Sequence, residues 1–93
     1  MKDTKYKILL VEDDKLDQMA FTRMLEAQEL PYDCKIASSA SQAREIIESE
    51  KFDIIVSDYE LGDGTGLEIL ELVKGTPFVL VTGAGNEELV VQA

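Results

Sequence analysis

Short apolar runs alternate with segments of helical periodicity along this 93-residue chain, and this alternation constrains its fold more than any other feature. The runs at residues 5–11, 52–57 and 77–81 are mainly apolar, whereas residues 32–36 alternate between apolar and polar. Continuous apolar runs of this length are typical of strands buried on both faces of a parallel sheet. The alternating run is more typical of an exposed edge strand. The sequence therefore predicts an α/β domain whose parallel sheet has helices on both faces.

The segments between these strands predict amphipathic helices. Residues 15–28 form the first helix, Ser39 and Gln42 form the capping box of a second, and residues 66–74 form a third. The apolar residues that define the three helices are Leu16, Met19, Ala20, Met24 and Ala27 in the first, Ala40, Ala43, Ile46 and Ile47 in the second, and Leu67, Leu70 and Val73 in the third.

The end of the chain predicts a fourth helix. Asn86 is a favoured N-cap residue, and Glu87 and Glu88 suit the positive end of a helix dipole. This helix would complete a fourth repeat of strand and helix.

Composition limits the classes of partner and site. The chain is too short for two cores, so we expect one domain spanning residues 1–93. A net charge of −10 argues against nucleic acids and anionic membranes as partners. No apolar run is long enough to span a bilayer and the polar start MKDTKYK has no signal-peptide core, so we expect a cytoplasmic protein. The chain has one cysteine, Cys34, and no histidine, so any metal must be bound by oxygen.

Acidic and hydroxyl residues stand where three of the predicted strands end. Glu12-Asp13 follows the first strand, Asp58 the third and Thr82-Gly83 the fourth. Taken singly, each has an ordinary interpretation as a helix cap, a turn residue or a strand-end residue. In a doubly wound sheet, however, ligands bind beyond the carboxyl ends of the strands. Carboxylates that meet there repel one another unless a cation neutralises them, and a hard ion such as Mg²⁺ would do so.

The segments KILLVEDD, FDIIVSDYELGDGTGLEIL and PFVLVTG, in this order and at these spacings, resemble the receiver domain of bacterial two-component response regulators. The resemblance implies a flavodoxin-like doubly wound parallel sheet with strand order 2-1-3-4. It also implies a phosphoacceptor switch rather than an enzyme with separate substrates. Its partners would be a histidine kinase or phosphotransfer protein and a downstream output.

The same resemblance implies a role for each strand-end residue. Asp58 matches the aspartate that accepts the phosphoryl group, and Glu12 and Asp13 match the acidic pair that binds Mg²⁺. Asp13 and Asp58 would ligate the ion directly, Glu12 through water, and Glu60 through its backbone carbonyl. By the same match, the Thr82 hydroxyl and the Gly83 backbone N–H would contact the phosphoryl oxygens.

The sequence departs from the family pattern at its end. Family domains continue into a fifth strand that ends in a lysine and then a fifth helix, whereas this chain stops at Ala93. We therefore expect weaker phosphorylation and weaker coupling to Thr82 in this chain. Without a fifth strand, residues 77–81 would form an apolar sheet edge, and we expect self-association through that edge or through an exchanged segment.

Two other interpretations remain open. One is a pseudo-receiver that serves as an interaction module without using phosphate. The other is an enzyme, because Gly83-Ala84-Gly85 resembles part of a dinucleotide fingerprint and Asp63-Gly64-Thr65 part of a haloacid-dehalogenase phosphatase motif. The first motif lacks its third glycine, since Glu88 stands there. In the second, Asp63 lies five residues after Asp58 instead of two, so neither enzyme interpretation is favoured.

Overall fold

The structure, a computed structural model, describes residues 5–29, 31–73, 75–83 and 87–92. Its elements, in chain order, are β1 (Tyr6–Val11), α1 (Lys15–Ala27), β2 (Tyr32–Ala37), α2 (Ala40–Ser49), β3 (Ile54–Asp58), α3 (Gly66–Leu72), β4 (Phe78–Gly83) and β5 (Glu87–Gln92). The strands form one sheet in the order β2-β1-β3-β4-β5. The first four strands are parallel, which confirms the predicted sheet with β2 at its edge, and β5 is antiparallel to β4. Within the described residues, every helix is too short or too polar to cross a membrane.

Side-chain caps fix where the first two helices begin. The carboxylate of Asp14 accepts a hydrogen bond from the Asp17 N–H, so Asp14 is the cap of α1. The Ser39 hydroxyl accepts the Gln42 N–H at 3.0 Å, as predicted for α2. The Gln42 side chain reaches back to the Ser38 N–H at 2.7 Å, which orders the end of the β2–α2 connection.

The core lies between the sheet and the layer formed by α2 and α3. Leu9, Ile55 and Phe78 lie on the sheet face that packs against this layer and are at most 2% exposed. The whole buried cluster comprises Leu9, Val11, Ala37, Ala40, Ala43, Ile55, Leu61, Ile69, Val73, Phe78 and Leu80. The alternate residues Leu10 and Val56 face the other side, where α1 packs.

Helix α1 is turned so that its apolar stripe faces outward. The side chains of Gln18 and Leu25 are buried, whereas Leu16, on the opposite side of the helix, is 73% exposed. The Gln18 side-chain amide donates to the Glu12 carbonyl at 2.7 Å, and this bond fixes the rotation of α1. We name the outward-facing residues the α1 stripe: Leu16, Met19, Ala20, Met24 and Ala27.

The predicted fourth helix is wrong. Residues 87–92 form β5, which pairs with β4 from Phe78↔Gln92 to Gly83↔Glu87. The proposed cap Asn86 lies outside the described residues. The physical reason is competition: a helix of this length is marginal alone, whereas the edge of β4 offers unpaired backbone groups to a segment rich in Leu and Val. The predicted open edge at β4 is therefore also wrong, because β3 and β5 occupy both of its sides.

Gly66 and Gly75 differ in how much space a side chain would have. A Cβ atom on Gly66 would lie 2.5 Å from both the Asp58 carbonyl oxygen and Leu80 Cδ1. This close approach lets α3 begin directly against the end of β3. Gly75 has a φ of +83°, but a Cβ atom there would meet nothing within 4 Å.

We therefore expect Gly66→Ala to be much more damaging than Gly75→Ala. The clash at Gly66 should lower the free energy of unfolding by about 3 kcal/mol or more, because backbone must shift. The left-handed backbone at Gly75 should limit its loss to about 1–2 kcal/mol. Urea unfolding of both variants measures the difference, and equal losses would contradict the close contact at Gly66.

Candidate functional site

The carboxyl ends of β1 and β3 bring three carboxylates together. The parallel register pairs Val11 with Ser57, so the residues that follow, Glu12 and Asp58, meet at the same end of the sheet. Asp13 joins them from the β1–α1 connection. Carboxylate oxygens of Glu12, Asp13 and Asp58 all lie within 4.8 Å of one another. We name these three residues the acidic cluster.

Glu12 is the most perturbed carboxylate of the cluster. Burial raises its pKa from 4.5 to about 7, against the opposing effect of a hydrogen bond from the Asp14 N–H at 3.1 Å. The nearby charges of Asp58, Asp17 and Asp13 raise the pKa further. The environment of Glu12 therefore disfavours its negative charge unless a cation is close.

The pKa of Asp58 is raised in the same way. Burial is the largest cause, and the charges of Asp13, Asp17 and Glu60 add to it, while a hydrogen bond from the Tyr59 backbone lowers it. Asp17 was not among the residues predicted for the site. It lies one turn after Asp13 on α1 and lines, with Glu12 and Asp58, a cavity of about 340 Å³ on the α1 face of the sheet. The four-residue spacing from Asp13 was the sequence signal that could have identified it.

Thr82 and Gly83 lie on the neighbouring strand. Asp58 pairs with Val81, so Thr82 and Gly83 extend β4 past the end of β3 on the side of the acidic cluster. The sequence predicted that they follow the fourth strand, whereas the structure makes them the last two residues of β4 itself.

Glu60 follows Asp58 in an exposed connection and forms an isolated bridge with Thr65. The hydrogen bonds of this bridge run from the Leu61 N–H to the Gly64 carbonyl at 3.0 Å and from the Gly66 N–H to the Tyr59 carbonyl at 2.8 Å. The Glu60 carbonyl takes part in neither bond. Among the described residues no hydrogen bond uses this carbonyl oxygen, which leaves it as a candidate metal ligand.

The donor set of the acidic cluster fits Mg²⁺. This ion prefers oxygen ligands, usually one or two carboxylates together with waters. Two oxygens bound to one Mg²⁺ lie about 3 to 4 Å apart, so a cluster with separations up to 4.8 Å suits one ion held partly through water. The raised pKa values of Glu12 and Asp58 are consistent with a site built for added positive charge.

The raised pKa of Glu12 predicts a pH-dependent stability in the metal-free chain. The folded state binds the Glu12 carboxyl proton more tightly than the unfolded state does. The contribution of this proton to the free energy of unfolding is therefore complete below about pH 4.5 and is lost as the pH rises through about 7. Glu12→Gln should remove this contribution and should be more stable than the parent at about pH 8. We expect a gain of about 1 kcal/mol, since water screens the partly exposed carboxylate.

Urea unfolding at about pH 5 and about pH 8, without divalent ions, measures this difference. Glu48→Gln, at an exposed position of α2, is the matched control and should not reproduce it. A Glu12→Gln variant that follows the parent at both pH values would contradict the assigned pKa.

Comparison with known proteins places this chain in a family. The family model of the response regulator receiver domain matches residues 8–93. The response regulator protein PilR of Pseudomonas aeruginosa is 28% identical over 98 residues, which cover 97% of this chain and 21% of PilR. This chain thus spans about a fifth of the length of that relative.

Solved structures agree with the observed topology. The non-phosphorylated receiver domain of HemR from Leptospira biflexa is 31% identical with a TM-score of 0.75, covering 88% of this chain and 68% of that one. The chemotaxis response regulator CheY4 of Vibrio cholerae is 25% identical with a TM-score of 0.79, covering 89% of this chain and 72% of its own. The four parallel strands in the order 2-1-3-4 and their three helices form the flavodoxin-like fold of these domains. With this fold, and with the family model matching nearly its whole length, the chain belongs to the response regulator receiver domain family of two-component signalling.

Proposed function

We propose that this chain is a phosphoacceptor in a two-component phosphorelay, with Asp58 as the residue that accepts the phosphoryl group in a Mg²⁺-dependent reaction. The observation that carries the proposal is the acidic cluster, whose three carboxylates converge within 4.8 Å at the end of the sheet. A cluster with two raised pKa values costs folding free energy when no cation is present, which is typical of a functional site. The chain acts on itself in this role and is not an enzyme with separate substrates.

In the proposed reaction a carboxylate oxygen of Asp58 attacks the phosphorus of a phosphohistidine. The new O–P bond forms as the N–P bond breaks, and the departing imidazole takes up a proton. A bound Mg²⁺ would neutralise the charge on the phosphoryl oxygens. Asp13 and Asp58 would hold the ion directly, Glu12 through water, and Glu60 through its backbone carbonyl.

Two residues of β4 complete the proposed site. We assign to Thr82 the hydroxyl that bonds the phosphoryl group, and to Gly83 the backbone N–H that contacts a second phosphoryl oxygen. Their place at the end of β4, beside Asp58, supports both assignments. Phosphorylation adds about two negative charges beside them, which would move the Thr82 hydroxyl inward and alter the connection that follows.

Phosphorylation by a small phosphodonor such as acetyl phosphate tests the proposal. The parent chain should gain one phosphoryl group only when Mg²⁺ is present, and Asp58→Asn should gain none, as measured by intact-protein mass spectrometry. Asp53→Asn is the matched control, because Asp53 stands just before β3, at the opposite end from Asp58, and accepts the Lys7 N–H at 2.8 Å. It should be phosphorylated like the parent.

Measurements of Mg²⁺ binding and partner binding beside this experiment distinguish the alternative interpretation. If the parent binds Mg²⁺ and its partner but never gains a phosphoryl group, the chain is a pseudo-receiver that acts as an interaction module. If Asp58→Asn is phosphorylated as fast as the parent, the acceptor assignment is wrong.

The α1 stripe supports the proposal that the phosphodonor is a protein, namely a histidine kinase or phosphotransfer protein. Leu16, Met19 and Met24 are 73%, 48% and 49% exposed on one side of α1. The helix begins two residues after Asp13, so the stripe starts beside the acidic cluster. A helical surface that packs on this stripe would bring its phosphohistidine close to Asp58. We expect this exchange to take place in the cytoplasm.

Leu16→Glu should therefore separate the two kinds of donor. A charge in the stripe should slow transfer from a phosphorylated kinase or phosphotransfer protein by about tenfold or more, because apolar burial at the interface is lost. Phosphorylation by acetyl phosphate should not change. Leu72→Glu is the matched control, since Leu72 is a 51% exposed leucine of α3. Equal slowing by both variants, or slowing with acetyl phosphate, would contradict docking on α1.

A further inference from the structure

The connection between β3 and α3, residues 59–65, is anchored in the core by Leu61, and Tyr59 packs against the same buried cluster. The Leu61 side chain is 2% exposed and belongs to the buried cluster. The Asp63 N–H donates to the Leu61 carbonyl at 2.8 Å, so the turn after Leu61 directs the Asp63 side chain toward α2. We name residues 59–65 the acceptor loop.

Asp63 ties the acceptor loop to the start of α2. One carboxylate oxygen accepts the Ala40 N–H at 2.8 Å and the other accepts the Ser41 N–H at 3.1 Å. These two bonds hold the pKa of Asp63 below its usual value. Ala40 is fully buried, so the group that Asp63 binds is part of the rigid core.

The acceptor loop lies against the acidic cluster at Gly62. This residue has a φ of +81°, and a Cβ atom on it would lie 3.3 Å from Asp13 Oδ2. The loop residue directly before Asp63 therefore lies next to a carboxylate of the cluster. A displacement of the loop would change the space available to Asp13 and the position of the Glu60 carbonyl together.

The segment at the start of α2 also holds the opposite side of the cluster. The Glu12 N–H donates to the Ala37 carbonyl at 3.0 Å. The Gln18 side-chain amide donates to the Glu12 carbonyl at 2.7 Å and to the Ser38 hydroxyl at 3.4 Å. Residues 37–41 therefore connect the β1–α1 turn, through Glu12 and Gln18, with the acceptor loop, through Asp63.

We propose that Asp63 is a positioning residue that holds the acceptor loop, with Gly62 and the Glu60 carbonyl, beside Asp13 of the acidic cluster, through its paired hydrogen bonds to Ala40 and Ser41. The effect on metal binding rests on the proposed function. The effect on the geometry of the cluster does not, because these contacts exist in the metal-free chain. A simple helix cap would stabilise α2 and leave the cluster unchanged, and the experiment must separate the two roles.

Ser39 provides the matched control. Its hydroxyl caps the same helix by accepting the Gln42 N–H at 3.0 Å, and no hydrogen bond connects its side chain with the acceptor loop. Ser39→Ala and Asp63→Ala therefore each remove a cap from α2, but only Asp63→Ala releases the loop. Urea unfolding establishes whether the two variants lose comparable stability.

The first readout is amide NMR without metal. Asp63→Ala should shift the Asp13 and Glu60 amide signals and accelerate hydrogen exchange at the Leu61 amide, and Ser39→Ala should change none of them. If Asp63→Ala leaves these signals at their parent positions, the proposal is overturned regardless of any metal.

The second readout is a Mg²⁺ titration followed by the same signals. Asp63→Ala should weaken Mg²⁺ binding about tenfold, as is common when a residue that orients metal ligands is lost. Asp63→Asn, whose amide oxygen can still accept one N–H, should fall between Asp63→Ala and the parent. Equal Mg²⁺ affinity in the parent and Asp63→Ala would overturn the proposed effect on binding. If the parent itself does not bind Mg²⁺ while Asp63→Ala shifts the metal-free signals, the proposed function fails and the positioning role stands.

Discussion

The parallel pairing of β1 with β3 is the constraint on which the site depends. Parallel strands end at the same edge of the sheet, so the register that packs Leu9 beside Ile55 in the core also places Glu12 beside Asp58. The acidic cluster is thus a consequence of core packing. A one-residue slip of this register would turn the apolar side chains of β3 to the wrong face, so the hydrophobic core protects the position of Glu12 beside Asp58.

Bringing the carboxylates together has an electrostatic cost, and the connections around the cluster are built to withstand it. Repulsion alone would separate the β1–α1 turn from the acceptor loop, since no described cation pairs with Glu12, Asp13 or Asp58. The β1–α1 turn and the acceptor loop are instead fixed by hydrogen bonds between backbone groups and the Gln18 amide or the Asp63 carboxylate, which place no positive charge beside the cluster. This arrangement leaves the negative potential available for an ion, whereas a lysine or arginine salt bridge would satisfy it internally.

The sequence predicted the parts of the fold that local pattern determines. Continuous apolar runs identified β1, β3 and β4, and the Ser39–Gln42 spacing identified the start of α2. It did not predict which side of α1 would be buried, because Phe21 and Leu25 form a second apolar spacing on the side where the Gln18 amide bonds to the Glu12 carbonyl. The sequence also predicted a helix at residues 87–92, where the structure has a strand. This strand is stabilised by pairing with β4, a contact that no local pattern reveals. For the site, strand-end position was sufficient for Glu12, Asp13 and Asp58, but Asp63 acts through α2, which is distant in sequence.

The two faces of the sheet differ in how completely helices cover them. This difference affects where the structure can change when the charge at Asp58 changes. The face under α2 and α3 is closed by the buried cluster, whereas on the α1 face Val56 and Val81 remain partly exposed beside the cavity that reaches Glu12 and Asp58. The face under α2 and α3 is closely packed, whereas the α1 face is not. A change of charge at Asp58 should therefore displace atoms near α1 and β4 more readily than atoms near α2 and α3. Structural response to the site should therefore be directed to that face, where the α1 stripe is also displayed.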